Sequence, residues 1–298
     1  MSLSSSALKG HRGVATIMGA QESQLKFPLS PLQSQIWLIN LKFQVQPFTH
    51  LSRNVLREIC DYLRIPQFLP VLCGCDISLH CFETGAVTTA KLPVAFSDGA
   101  VCCVYGEKAV LCLGGDPPSA EVYRVNLPSL VLDTLTPMRR ARAWPGILPL
   151  GSLVYVFGGS LRSCEKLQTG VWTSLPDMLS AKCAFTPVSC NALILLCAFA
   201  SDVESFHTKK EVFVRLPLQL PGDSSPSLAF LAGDWLHVLG RERAVRWKMG
   251  TEKVETWSLQ RAFEGCTGVP VRVGERIYWA DLAGEVVWYD IDRREVMQ

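Results

Sequence analysis

The chain has 298 residues, of which 48% are hydrophobic and 19% charged, and its net charge is +2. That apolar content can fill a large core and excludes a chain that is disordered throughout. A field so weak gives no basis for nucleic-acid binding, and the longest apolar run, Ala192 to Ala200, has about half the ~20 residues of a membrane-spanning helix.

In chain order, residues 1–34 read as a disordered leader: Ser-rich at the start, with Lys9, His11 and Arg12, and without the apolar run of a secretory signal. Residues 35–67 read as a linker. Within it Gln35 to Val45 is apolar enough for a short strand or helix. Leu51 to Leu63 then breaks into a helical pattern, with Leu51, Val55, Leu56, Ile59, Cys60 and Leu63 on one face. Thr49 or Ser52 can cap its start, and Pro66 follows its end. The run Leu51-Ser-Arg-Asn-Val-Leu-Arg-Glu-Ile-Cys-Asp-Tyr-Leu63 resembles the first helix of an F-box, with Ser52 where that family has Pro. The resemblance implies docking of a Skp-type adaptor through Leu51, Val55, Leu56, Ile59 and Leu63. The simpler expectation is a helix that caps the following domain through its apolar face.

From residue 68 onward the sequence repeats. Apolar runs end in Gly114-Gly115 and in Gly158-Gly159, and related runs end near Cys197, Gly240 and Ala280. One large apolar residue recurs at Phe82, Tyr123, Leu167, Phe206, Trp247 and Tyr289, and a third series is Leu92, Leu135, Leu175, Leu216 and Leu259. All three series keep one period of about 42 residues, and each unit alternates over four to eight residues between Gly, Pro, Asp or Ser breaks. Four short strands per unit of this length is the pattern of a propeller blade.

The stretch Arg142-Ala-Trp-Pro-Gly-Ile-Leu-Pro-Leu-Gly-Ser-Leu-Val-Tyr-Val-Phe-Gly-Gly159, followed by Trp172-Thr-Ser-Leu-Pro-Asp-Met178, resembles a kelch repeat. The expected fold is all-β: a kelch-type β-propeller over 68–298 with about six blades, one incomplete, preceded by the short helix and the leader. Five units supply a first, innermost strand. Leu69 to Leu92 supplies two or three strands of a sixth blade, and the last strands of the chain are expected to pack beside it.

Twelve cysteines without a secretory signal, several of them inside apolar strands, point to a reducing, cytoplasmic setting. No phosphate loop, nucleophile elbow or zinc-protease helix is present, so no catalytic residue, cofactor or metal ligand is assigned. Cys73-Gly-Cys75 with Cys81 lacks the second ligand pair of a zinc site. The expected function is a non-catalytic scaffold or adaptor that binds a protein or peptide, with no part for nucleic acid or membrane. The alternative is a substrate receptor of a cullin-type ubiquitin ligase. In an up-and-down blade the loops between strands two and three share a face with the loops between blades. That face carries Arg139, Arg140, Arg142, Arg162, Lys182, Arg241 and Arg243, diluted by Asp116, Asp177, Asp223, Glu242 and Asp281. Arginine forks fit carboxylates, so these seven residues are the candidate site for an acidic partner.

Overall fold

The computed structural model describes residues 68–297, apart from 83, 107–108, 128, 199–201 and 221–225. The leader, the segment 35–45 and the F-box-like stretch 51–63 lie outside the described residues.

The repeat period resolves into six antiparallel sheets, the blades of a β-propeller. Blade one holds β1 (Phe68–Cys73), β2 (Asp76–Cys81) and β3 (Val87–Lys91). Blade two holds β4 (Ala100–Tyr105), β5 (Ala109–Gly114), β6 (Val122–Asn126) and β7 (Val131–Thr134). Blade three holds β8 (Pro145–Leu150), β9 (Leu153–Gly158), β10 (Cys164–Gln168) and β11 (Val171–Leu175). Blade four holds β12 (Val188–Cys190), β13 (Leu193–Leu196), β14 (Asp202–His207) and β15 (Val212–Gln219). Blade five holds β16 (Leu228–Ala232), β17 (Trp235–Leu239), β18 (Arg243–Lys248) and β19 (Val254–Ser258). Blade six holds β20 (Val271–Val273), β21 (Arg276–Ala280), β22 (Val286–Asp290) and β23 (Glu295–Met297).

Strand alternation explains how the blades pack. Successive side chains of a strand point to opposite faces, so an inner strand feeds two blade interfaces at once. In β4, Val101 and Cys103 join Ile147 and Val156 of blade three, while Cys102 faces Ile77 and Leu79 of blade one. Such strands are buried on both faces, which is why β5 reads as the continuous run Ala-Val-Leu-Cys-Leu. Each of the six interfaces has its own apolar cluster. Among the described residues the one between blades six and one is the smallest, with Leu69, Val71 and Ala280 as its buried members.

Among the described residues blade one has three strands, and the one it lacks is the innermost. In complete blades the chain leaving the fourth strand bonds back to the loop between strands two and three: Leu135 N to Val122 O, Met138 N to Ala120 O, Phe263 N to Arg241 O. In blade one the matching bonds run from Leu92 N to Cys75 O and from Phe96 N to Gly74 O. The β1–β2 turn is therefore a second-to-third-strand loop, and β1 to β3 are strands two, three and four. The expectation of five innermost strands is met by β4, β8, β12, β16 and β20.

The inner layer nevertheless closes. Cys102 N donates to Thr267 O at 2.8 Å and Val269 N donates to Cys102 O at 3.3 Å, joining blade six to blade two past the missing strand. Around the rest of the axis Trp144 N donates to Gly99 O, Ala184 N to Trp144 O and Ser227 N to Ala184 O. These residues sit just ahead of their first strands. Gly99, Trp144 and Ala184 take positive φ (76°, 57° and 50°), which lets their main chains turn inward.

Candidate partner-binding face

Because alternate strands run antiparallel, the blade-to-blade connections and the loops between strands two and three emerge at one end of the ring. The seven basic candidates divide there into two groups. Arg139, Arg140, Arg162, Arg241 and Arg243 are exposed. Arg142 and Lys182 are buried, at 0% and 3% exposure.

The buried pair corrects the expectation that all seven face a partner. Arg142 Nη2 donates to Glu165 at 2.8 Å, and Nη1 donates to Ser163 O at 2.7 Å and to Gly158 O. Glu165 also accepts the Arg139 and Arg140 amides at 2.7 and 3.2 Å. Blade four repeats the device. Lys182 Nζ lies 3.1 Å from Glu204, which accepts the Leu179 and Ser180 amides and the Ser180 hydroxyl. In both blades a carboxylate inside the third strand gathers the incoming connection, and the cation neutralises it. Burying these charges requires such full pairing. Arg142 and Lys182 therefore brace their own blades.

Glu165 and Glu204 are the structural residues that the sequence reading missed. The signal was there: each acid follows its base by about half of the ~42-residue repeat, at a third-strand position that is otherwise apolar.

The exposed arginines are partly positioned. Arg139 Nε donates to Trp172 O at 3.1 Å and Arg162 Nε to Met178 O at 2.8 Å, so both forks are tethered at one nitrogen beside blade three. Arg241 and Arg243 lie two blades round, on blade five. They flank Glu242 in the loop where Gly240 N bonds Arg243 O at 2.8 Å. The face thus has two basic points rather than one continuous patch.

Among the described residues no group of three or more His, Cys, Asp or Glu stands ready to hold a metal ion. Cys102 and Cys197 are fully buried thiols pushed up to about 12, chiefly by burial. They behave as small apolar residues. His237, on β17 between blades five and six, stacks on Phe230 at 4.9 Å, and burial with Arg246, Arg294 and Arg272 nearby pushes its imidazole down to about 4.

No protein-family model matches the chain, and no curated protein sequence matches it. Solved structures do. A chain from the crystal structure of a nidogen/laminin complex aligns over 78% of this chain and 92% of its own, with TM-score 0.57 and 14% identity. The structure of YjhT aligns over 78% of this chain and 97% of its own, with TM-score 0.55 and 11% identity. At such identities the likeness is one of fold. The described residues form an all-β, six-bladed propeller, the fold these structures share.

Proposed function

We propose that the chain is a non-catalytic scaffold or adaptor of the kelch type, working in the cytoplasm, that holds an acidic protein or peptide on its loop face. The observation that carries this reading is the exposure of Arg139, Arg140, Arg162, Arg241 and Arg243 on one end of the ring. Loops on a rigid scaffold are where binding residues concentrate, and the two tethered forks are partly pre-organised for carboxylates. The likeness to a chain from a nidogen/laminin complex supports the interaction class and leaves the partner open.

The test is affinity capture with the full chain and with an Arg241→Ala/Arg243→Ala variant. Partners should be lost from the variant and, for the parent, should fall off as salt rises. Unchanged capture by the variant removes the basic-face reading.

The F-box-like pattern of Leu51 to Leu63 favours a second reading, a substrate receptor of a cullin-type ubiquitin ligase. It requires Skp-type adaptor and cullin peptides in the captured material. They should disappear with Leu56→Ala/Ile59→Ala and persist with the arginine variant.

A further inference from the structure

Among the described residues blade one has no innermost strand, and this leaves a mark on the loop face. A cleft of about 270 Å³ opens where that strand would begin. Its walls are Leu72 at the end of β1, Phe96 and Asp98 ahead of β4, Trp144, Thr267 and Leu282, contributed by blades one, two, three and six. Leu282 is a large apolar side chain left 40% exposed. Trp144 has φ of 57°, and its ring lies so close over Gly99 that a Cβ there would come within 2.8 Å of it. A left-handed tryptophan held against a glycine is a constrained aromatic wall.

Charge indicates what the cleft takes. Asp98 is the one charged side chain among the described residues that line the cleft, and no lysine, arginine or histidine lines it.

We propose that this cleft is a second binding site, which takes a lysine or arginine side chain presented by an extended peptide segment. The apolar stem lies along Trp144, Phe96 and Leu282, and the cationic head reaches Asp98. An aromatic wall next to a carboxylate suits a long cationic side chain, whose stem is apolar and whose head is attracted to both. This site is independent of the arginines proposed to hold an acidic partner.

The experiment uses the full chain and two fluorescein-labelled pentapeptides, Leu-Lys-Leu-Arg-Leu and Leu-Glu-Leu-Glu-Leu, both acetylated and amidated, in fluorescence anisotropy at low and high salt. The basic peptide should bind, weaken with salt, and lose about tenfold or more in affinity to Asp98→Lys, an exposed loop change that should leave the melting temperature intact. Arg241→Ala/Arg243→Ala should bind the basic peptide like the parent, so failure of the arginine reading and failure of this one are separable. Equal binding of the acidic peptide, or full affinity in Asp98→Lys, overturns the proposal.

Discussion

Arg142 and Glu165 form an ion pair of 2.8 Å in which neither side chain is more than 2% exposed. Lys182 and Glu204 repeat it one blade on, at 3.1 Å. The pairs tie the start of a blade to its third strand, so they couple the inner layer to the middle one. Removing one partner strands the other charge in the interior. Glu165→Ala should therefore lower unfolding free energy by about 3–5 kcal/mol, measured by urea titration. Replacing Arg142 as well, with Met, should recover part of that loss. Full recovery is not expected, because Glu165 also accepts the Arg139 and Arg140 amides. A loss under about 1 kcal/mol for Glu165→Ala would show that the pair does not brace the blade.

Gly158 and Gly170 separate backbone strain from close packing. Both have positive φ, 67° and 82°, which a side chain adopts only at a penalty of roughly 1–2 kcal/mol. At Gly170 a Cβ would meet nothing within 4 Å, whereas at Gly158 it would overlap the Lys182 main-chain oxygen. Gly158→Ala should thus cost clearly more than Gly170→Ala in the same titration. Equal midpoints would mean that the blade-three connection shifts freely.

Period and alternation made the propeller, the five innermost strands and the partial blade legible, because each strand must feed two apolar interfaces. Burial of individual charges was not legible in the same way. Arg142 and Arg140 are two residues apart in one connection, yet one is enclosed and the other exposed. The difference lies in Glu165, which is distant in sequence and meets Arg142 only once the third strand is in place. The cleft was hidden for the same reason. Leu72, Trp144 and Thr267 come together only because blade six bonds to blade two across the missing strand.

His237 makes stability depend on pH. Its folded imidazole is held at about 4 by burial and by Arg246, Arg294 and Arg272, below the ordinary value of 6.5. The unfolded chain therefore takes up a proton first as pH falls, and stability drops between about pH 6.5 and 4. The parent should lose more melting temperature between pH 7 and pH 5 than His237→Gln does. Parallel losses would assign the slope to other groups.

Thiol accessibility should follow burial. Cys73 and Cys183 are exposed, whereas Cys102, Cys103 and Cys112 are buried, with thiols raised by burial. Iodoacetamide labelling of the native chain, read peptide by peptide by mass spectrometry, should modify Cys73 and Cys183 within minutes. The other three should react only once denaturant is added. Early labelling at Cys102 or Cys112 would mean that blade two opens from the folded state.

Ring closure between blades six and one should be the first joint to open. Among the described residues the interface of blades six and one has three buried apolar residues, Leu69, Val71 and Ala280, with the tilted rings of Phe82 and Tyr278 beside them at 4.5 Å. The interface of blades four and five buries a far larger set, including Val188, Leu195, Leu236 and Val245. Local opening free energy follows buried apolar contact, so the ring should open between blades six and one before it unfolds globally. Amide exchange should then be faster in β1 and β21 than in β13 and β17. Leu69→Ala should accelerate exchange on both sides of that joint while moving the global urea midpoint little. Leu236→Ala, in the larger cluster, should lower global stability by about 2–5 kcal/mol. If Leu69→Ala shifts the midpoint as far as Leu236→Ala, blades one and six unfold with the rest of the ring and the joint is not a separate opening unit.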